Sequence, residues 1–299
     1  MIYQLAALGA ALCWALSSFI SVKPAKALGP VRFNKWRMTI VCAMLIAMSF
    51  VTGGWRTDLF DWWLIIALSA FTGIFMGDTL LFWGLKKLGP RRNSVLFSLN
   101  APITVLLGWL FLDERLSSGA LFGTMLISSG VLIAVAYGRG QKEQHVLEET
   151  QGSLIVAVLI ALSAATCQAV GVILVRPAME AGLDPTASSA VRVGIAALCL
   201  WTMAALSKRR HTEDKPPLTR QLVFQIAISG ALGMGLGMTL LLYGLKGGDA
   251  GVISTLSSAS PVLVLPILWY LTKKAPSPSA WIGAALVLVG SGVLFTVDI

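Results

Sequence analysis

Charged side chains are scarce in this chain of 299 residues. Asp, Glu, Lys and Arg together make up 12% of it, whereas hydrophobic residues make up 56%. Soluble globular domains carry about 25% charged residues. The chain therefore has too little polar surface for a soluble domain, and its long apolar stretches favour a membrane protein.

Cysteine and histidine are also few, with four and two copies in the chain. Their spacing matches neither a disulfide framework nor a metal motif. The sequence also lacks a glycine-rich phosphate loop, a Ser/His/Asp set and paired catalytic carboxylates at convincing spacing. We therefore expect no metal and no cofactor, and a membrane enzyme is disfavoured.

Ten apolar stretches are long enough to cross a bilayer once each. They lie near 2–22, 33–51, 62–84, 92–112, 119–137, 153–175, 187–206, 221–244, 250–271 and 279–297. The first stretch resembles a secretory signal, but it lacks a basic start and has a counterpart at 155–175. We predict an all-α integral membrane protein with ten transmembrane helices.

One segment of the chain is written twice. Residues 73–86 read GIFMGDTLLFWGLK and residues 233–246 read GMGLGMTLLLYGLK, at a constant offset of 160. Such duplication is typical of transporters built from two homologous halves. We predict a first five-helix repeat over residues 1–137, a polar linker over 138–151 and a second five-helix repeat over 152–299.

The distribution of basic residues predicts the topology. Because five is an odd number of crossings, the second repeat enters the membrane from the opposite side. Of the 23 Lys and Arg residues, 18 lie in loops opposite the N-terminus, and only Arg56, Arg115, Arg176 and Lys246 lie in loops on the N-terminal side. The positive-inside rule then places both termini outside the cytoplasm, with two inverted repeats in the inner cell membrane. These loops account for the net charge of +9, so no nucleic-acid partner is expected.

The first half contains a recognisable signature. The segment Asn100-Ala101-Pro102-Ile103 is followed by Asp113-Glu114-Arg115 and then by a helix with Gly123 and Gly130 at regular spacing. This order of a central proline, a Glu at the helix end and a glycine-spaced helix resembles the signature of EamA-type transporters. That family belongs to the drug/metabolite transporter superfamily.

The second half matches the same signature less fully. It has Ser260-Pro261-Val262, Gly283 and Gly290, but Lys273 replaces the Glu at the helix end. The resemblance covers nearly the whole chain. It implies ten helices in inverted five-helix repeats, a central cavity, and export or import of small metabolites. Many members have cytoplasmic termini, whereas the loop charges of this chain predict termini outside.

Asp78 lies well inside the third predicted span. An acid at this depth costs about 2.5 kcal/mol or more and commonly faces a cavity or a partner. It is therefore a candidate for proton coupling or for contact with a substrate amine. The alternative is a carboxyl near the interface that is hydrated or paired with Lys86 or Arg91. Its repeat counterpart is Met238, so the duplication does not require an acid here.

Pro102 and Pro261 interrupt otherwise strong helices, where a proline frees backbone carbonyls and bends the helix. Ser98 and Asn100 accompany the first proline, and Ser257 accompanies the second. A polar, bent stripe in each repeat predicts the lining of a cavity. The alternative is that these serines bond to carbonyls of their own helices.

Five further residues are candidates for substrate contact, namely Trp14, Ser17, Trp83, Gln168 and Tyr243. For the aromatic residues near span ends, anchoring at the membrane interface is the alternative. Arg192 lies within the seventh span, where it binds an anionic group or extends towards the interface.

The leading hypothesis is a secondary transporter that exports a small metabolite, such as an amino acid or a related compound, by alternating access. A flippase for a lipid-linked sugar and an exporter of cationic drugs are the alternatives. A membrane enzyme and a scaffold are less favoured. The expected partners are a small-molecule substrate, membrane lipids and, for coupled transport, protons. We expect a monomer or a weak homodimer.

Overall fold

A computed structural model describes residues 1–55, 58–137, 153–206, 217–273 and 276–297, and every regular element in these ranges is helical. The predicted linker at 138–151 lies outside the described residues. The all-helical class expected from composition is therefore confirmed for this part of the chain.

The first half contains seven α-helices. They are α1 (Ile2–Leu28), α2 (Pro30–Val51), the short α3 (Asp58–Asp61), α4 (Trp63–Ser69), α5 (Gly77–Phe97), α6 (Asn100–Phe111) and α7 (Ser118–Tyr137). A π-helical segment, Ala70–Met76, joins α4 to α5. Helix α5 is not straight, because the Asn93 side chain donates to the Leu81 carbonyl at 3.2 Å. Residues twelve apart in a straight helix are about 18 Å apart, so the chain reverses within α5.

The second half repeats this order. It comprises α8 (Leu154–Glu180), α9 (Pro185–Leu206), α10 (Arg220–Gly230), α11 (Met238–Gly244), α12 (Ala250–Ser257), α13 (Ser260–Thr272) and α14 (Pro278–Val297). A second π-helical segment, Ala231–Gly237, joins α10 to α11. The π segments begin three and two residues before the two copies of the duplicated sequence, so the irregularity occurs at equivalent places in the two halves.

Nine helices of the described residues are long and apolar enough to cross a membrane. The span predicted at 33–51 corresponds to α2, which is 22 residues long but is not among these nine helices. Its first eight residues include Arg32, Asn34, Lys35 and Arg37, and these polar side chains lower its hydropathy.

The two halves pack against each other through equivalent elements. Helix α1 packs against α10, the second π segment and α11, while α8 packs against α4, the first π segment and α5. Helix α2 packs on α9, α6 on α12 and α7 on α14. The α2–α9 and α7–α14 contacts each join a helix to its counterpart, whereas the α6–α12 contact has no equivalent of similar extent among the described residues.

Glycine allows a close contact between α7 and α14. A Cβ atom on Gly130 would lie 2.7 Å from the Gly283 carbonyl oxygen, and one on Gly290 would lie 2.8 Å from the Gly123 carbonyl oxygen. Small residues at this spacing let helix backbones approach closely in a membrane. The glycines of the recognised signature therefore hold the two halves together at this interface.

The first and last helices meet at one end of the protein. The Gln4 side-chain amide donates to the Leu294 carbonyl at 3.3 Å. At the same end, the Tyr3 and Tyr243 rings lie 5.6 Å apart. The start of α1 therefore lies beside the ends of α11 and α14.

Candidate functional site

A cavity of about 200 Å³ lies between the two halves. It is lined mainly by small polar side chains together with a few large apolar ones. The lining residues are Trp14, Leu81, Ser94, Phe97, Ser98, Asn100, Gln168, Val172, Leu241, Ser254, Ser257, Ser258, Ser260 and Pro261. The lining therefore combines hydroxyl and amide groups with a larger apolar surface, and it carries no charged side chain among the described residues.

Both halves interrupt a helix at the cavity. Helix α5 ends at Phe97 and α6 begins at Asn100, while α12 ends at Ser257 and α13 begins at Ser260. Each break lies just before the proline of its half, because proline cannot donate the hydrogen bond that would continue the preceding helix. Discontinuous helices in transporters commonly mark the binding site.

Polar side chains satisfy the carbonyl groups near these breaks. The Ser98 hydroxyl donates to the Val95 carbonyl at 2.7 Å, and the Asn100 amide donates to the Phe97 carbonyl at 2.7 Å. In the second half the Ser257 hydroxyl donates to the Ser254 carbonyl at 3.0 Å. These side chains therefore do both things that the sequence suggested as alternatives. They bond to carbonyls of their own helices, and they also line the cavity.

Six of the candidate residues from the sequence lie together around this cavity. They are Trp14, Ser98, Asn100, Gln168, Ser257 and Pro261. Trp14 also donates its indole N–H to the Gly233 carbonyl at 2.8 Å, which ties α1 to the second π segment.

Four other candidates lie elsewhere. Ser17 is buried and donates to the Ser229 carbonyl at 2.7 Å, linking α1 to α10. Trp83 is 57% exposed, and Tyr243 packs against Tyr3. Pro102 lines a second cavity of about 600 Å³ together with Glu114 and other residues.

Asp78 contacts two polar residues of α2. The Asn34 side-chain amide donates to the Asp78 carboxylate at 3.3 Å, and a guanidinium nitrogen of Arg37 lies 4.0 Å from the same oxygen. Arg37 also donates to the Asn34 side-chain oxygen at 3.1 Å. The acid is thus held by a triad of Asn34, Arg37 and Asp78. The sequence suggested loop cations only as alternative partners, and the side chain of one of them, Arg91, lies outside the described part of the structure.

Arg192 occupies the corresponding place in the second half. It is 2% exposed, and one of its terminal nitrogens donates to the Met238 sulfur at 3.3 Å. Met238 is the repeat counterpart of Asp78. The two halves therefore share the arginine but differ in its partner.

Glu114 connects the two halves at one end of the molecule. Its carboxylate accepts hydrogen bonds from the Ala250 N–H at 2.8 and 2.9 Å, at the start of α12. Arg176 of α8 lies 3.3 Å from the same carboxylate and also pairs with Glu180 at 3.2 Å. A carboxylate is favoured at a helix N-terminus, where the backbone N–H groups lack partners within the helix. The sequence identified Glu114 only as part of a signature, because these contacts are distant along the chain.

Burial raises the pKa of the Glu114 carboxyl. The neighbouring charge of Asp249 raises this pKa further, while the Ala250 N–H and the charge of Arg176 lower it. The net effect is an upward shift, so desolvation outweighs the favourable contacts.

The equivalent segments at the two helix breaks differ in burial. All eight residues of α12 are buried, whereas Arg92 and Ser94, which precede the break of the first half, are exposed. Lys23 in the first half corresponds to Arg176, and Lys273 in the second half lies in the loop that corresponds to the loop of Glu114. Both lysines are exposed. The end that holds Glu114 is therefore closely packed, and the opposite end is not.

The chain matches the model of the EamA-like transporter family over residues 1–136 and again over 155–296. The chain belongs to the EamA-like transporter family. The resemblance found in the sequence is confirmed, and the protein is a multi-pass membrane protein of a transporter family, not of a family of enzymes.

Two relatives from Bacillus subtilis (strain 168) are similar to this EamA-family chain. The uncharacterized transporter YwfM is 25% identical over 300 residues, which cover 97% of this chain and 92% of that protein. The uncharacterized transporter YoaV is 24% identical over 133 residues, which cover 44% of this chain and 45% of that protein. One solved crystal structure is 20% identical with a TM-score of 0.79, covering 99% of this chain and 96% of the other. At this identity the solved structure supports the fold alone.

Proposed function

We propose that this EamA-family protein is a secondary transporter that exports a small metabolite, such as an amino acid, by alternating access. The observation that carries the proposal is the small cavity, with hydroxyl and amide groups in its lining, at the helix breaks of both halves. A site built from the same elements of two halves can be exposed to either side when one half moves against the other.

Ten crossings in two inverted repeats explain the contacts at the ends of the helices. The Gln4–Leu294 hydrogen bond joins the start of the first helix to the end of the last, which requires an even number of crossings. Adding α2 to the nine apolar helices gives that even number. The excess of basic residues in the loops opposite the N-terminus then puts both termini outside the cytoplasm, in the inner membrane of a bacterium.

The asymmetry between the two ends supports alternating access and export. The contacts of Glu114 with Arg176 and Ala250 close the end that holds the termini. At the opposite end Lys23 and Lys273 are both cations and do not attract each other, and Ser94 is exposed while it lines the cavity. By the loop charges this open end faces the cytoplasm, so the solute enters from there.

The size of the cavity favours a small solute. Pockets for drug-sized ligands measure about 300–1,000 Å³, whereas this cavity measures about 200 Å³. Its hydroxyl and amide groups suit a solute that is rich in hydrogen-bonding groups. A lipid-linked sugar is too large for it, and a cationic drug would find no acid among the described lining residues.

Counterflow in liposomes tests this proposal. Purified protein is reconstituted with unlabelled amino acids inside, and entry of each labelled amino acid is measured. We expect Ser257→Ala to reduce exchange, because it removes a hydroxyl from the cavity, and Ser129→Ala to leave it unchanged. Ser129 also bonds to its own helix but lies outside the cavity. Exchange that is absent for all small metabolites, or that Ser257→Ala and Ser129→Ala affect equally, contradicts the proposal.

A further inference from the structure

Arg192 is a buried cation whose charge has no acidic partner in the described part of the chain. The residue is 2% exposed, lies in the middle of α9, and has no Asp or Glu within ion-pair distance among the described residues. The nitrogen Nε makes no hydrogen bond to them, and a terminal nitrogen has only the Met238 sulfur. Charged groups inside a membrane protein are costly and are commonly paired or functional.

The first half shows how an arginine at this position is neutralised. Arg37 has the carboxylate of Asp78 and the amide of Asn34 around it. In the second half Met238 replaces the acid, and a thioether is only a weak acceptor. The contact between α9 and α11 therefore contains the arginine but no acidic counter-ion.

Arg192 lies close behind the wall of the cavity. A Cβ atom on Gly73 would lie 3.5 Å from a terminal nitrogen of Arg192 and 2.9 Å from the Cα atom of Gly171. Gly171 is one turn from Gln168 on α8, and Gln168 lines the cavity. Gly73 and Gly171 thus pack together beside the guanidinium, one turn of α8 away from a residue of the cavity lining. Gly73 also belongs to the first π segment, a helix type that is frequent at functional sites.

We propose that Arg192 binds the carboxylate of the transported solute. A guanidinium presents its N–H groups in a fork that matches a carboxylate, and the interaction is strong where water is excluded. A phosphate carries nearly two negative charges, whereas the described lining residues add no second cation. The inference rests on the proposed transport function and adds the charge class of the solute.

The assignment is tested by restoring the missing acid. In Met238→Asp, Arg192 gains the internal acidic partner that Arg37 has in the first half. It is then no longer available to bind the carboxylate of the solute. Arg192→Gln removes the charge with little change in length, and Arg192→Lys keeps the charge without the fork. Asp61→Asn, at an exposed acid of α3, is the control.

The probes are alanine, serine and valine together with their amides, which lack the carboxylate charge. The shift in unfolding temperature of the purified protein in detergent reports binding, and counterflow in liposomes reports transport. For at least one acid, we expect binding to the wild type that is at least about tenfold tighter than that of its amide. Met238→Asp and Arg192→Gln should each lose that preference, and Arg192→Lys should retain part of it.

Three results overturn the inference. One is equal binding of acids and amides, another is an unchanged preference in folded Met238→Asp or Arg192→Gln, and the third is no binding of any acid to the wild type. In each of these cases the transport function is still supported if a solute without a carboxylate shows counterflow. Conversely, acids that bind through Arg192 but never cross the liposome membrane would refute the transport function alone.

Discussion

The guanidinium of Arg176 lies 3.3 Å from the carboxylate of Glu114, and this contact joins the first half of the chain to the second. The same carboxylate accepts two hydrogen bonds from the N-terminus of α12, a helix that is buried on every side. Removing Glu114 leaves the helix terminus without this partner and leaves Arg176 with only the exposed carboxylate of Glu180.

Glu114→Ala is expected to open the packed end of the protein. Loss of a buried partner costs about 1–3 kcal/mol, which corresponds to at least about a fivefold change in the population of open molecules. A cysteine at Ser254, in a background without the four native cysteines, should then react faster with an impermeant thiol reagent added from outside. Glu180→Ala is the control, since Glu180 pairs with the same arginine but is 67% exposed. Equal labelling of the two variants argues against a closing role for Glu114.

The raised pKa of Glu114 gives the closed end a defined pH dependence. Because the carboxyl has a higher pKa when closed and buried than when open and hydrated, closing takes up protons. Closure should therefore be favoured as the pH falls towards the ordinary pKa of Glu and should weaken as the pH rises through the raised value. The reactivity of Ser254→Cys measured against pH checks this, and Glu114→Gln should flatten the profile. A profile that keeps its shape in Glu114→Gln assigns the dependence to another group.

Asp78→Asn should uncouple transport from a pH gradient while substrate exchange across liposomes survives. The amide mimics the protonated acid at nearly the same volume, so it preserves the triad with Asn34 and Arg37 but cannot release a proton. Substrate exchange and gradient-driven uptake are measured side by side, and Asp61→Asn serves as the exposed control. Normal uphill, proton-driven transport by Asp78→Asn excludes this residue as the coupling group. Loss of binding itself points to contact with a substrate amine.

Gly130→Ala should destabilise the contact between α7 and α14. The added methyl would lie 2.7 Å from the Gly283 carbonyl oxygen, and overpacking of this kind costs about 1–3 kcal/mol. Gly292→Ala in α14 is the matched control, because a Cβ atom there meets nothing within 4 Å. We expect a lower unfolding temperature in detergent for Gly130→Ala only. A similar drop in both variants would show that the close contact with Gly283 is not the cause, since helix propensity alone favours alanine over glycine.

A reporter fused after Ile299 tests the topology that the loop charges predict. An enzyme that is active only in the periplasm should be active at this position, whereas one that needs the cytoplasm should not. The reverse result would place the termini inside and would make the closed end with Glu114 the cytoplasmic one. The direction of transport inferred from the open end would then reverse as well.

Much of the fold could be predicted because its signal is local or repeated. The apolar stretches fix nine of the crossing helices, and the duplicated segment marks the parts that pack in equivalent ways. The α2 helix shows the limit of hydropathy, since its polar residues Asn34 and Arg37 serve a buried contact. Composition cannot separate such residues from those of a loop.

The candidate site could be predicted only where backbone chemistry points to it. Prolines with neighbouring serines indicated the helix breaks, and Ser98, Ser257 and Pro261 do lie at the cavity. The partners of Asp78 and Glu114 could not be found, because each is brought near by the packing of helices far apart in sequence. The π segments left no recognised pattern either, since Ala70–Met76 and Ala231–Gly237 read as ordinary apolar helix.

These π segments have a consequence for motion. A π segment bonds each N–H to the carbonyl five residues back, so it holds one residue more than the α-helix it interrupts. Returning it to α-helical bonding shifts the register by one residue, which turns everything beyond it by about 100° about the helix axis. Leu81 and Leu241 both line the cavity and lie just beyond the two segments. A change in hydrogen bonding over two turns of helix would thus be enough to swing one wall of the cavity, with no hinge in a loop.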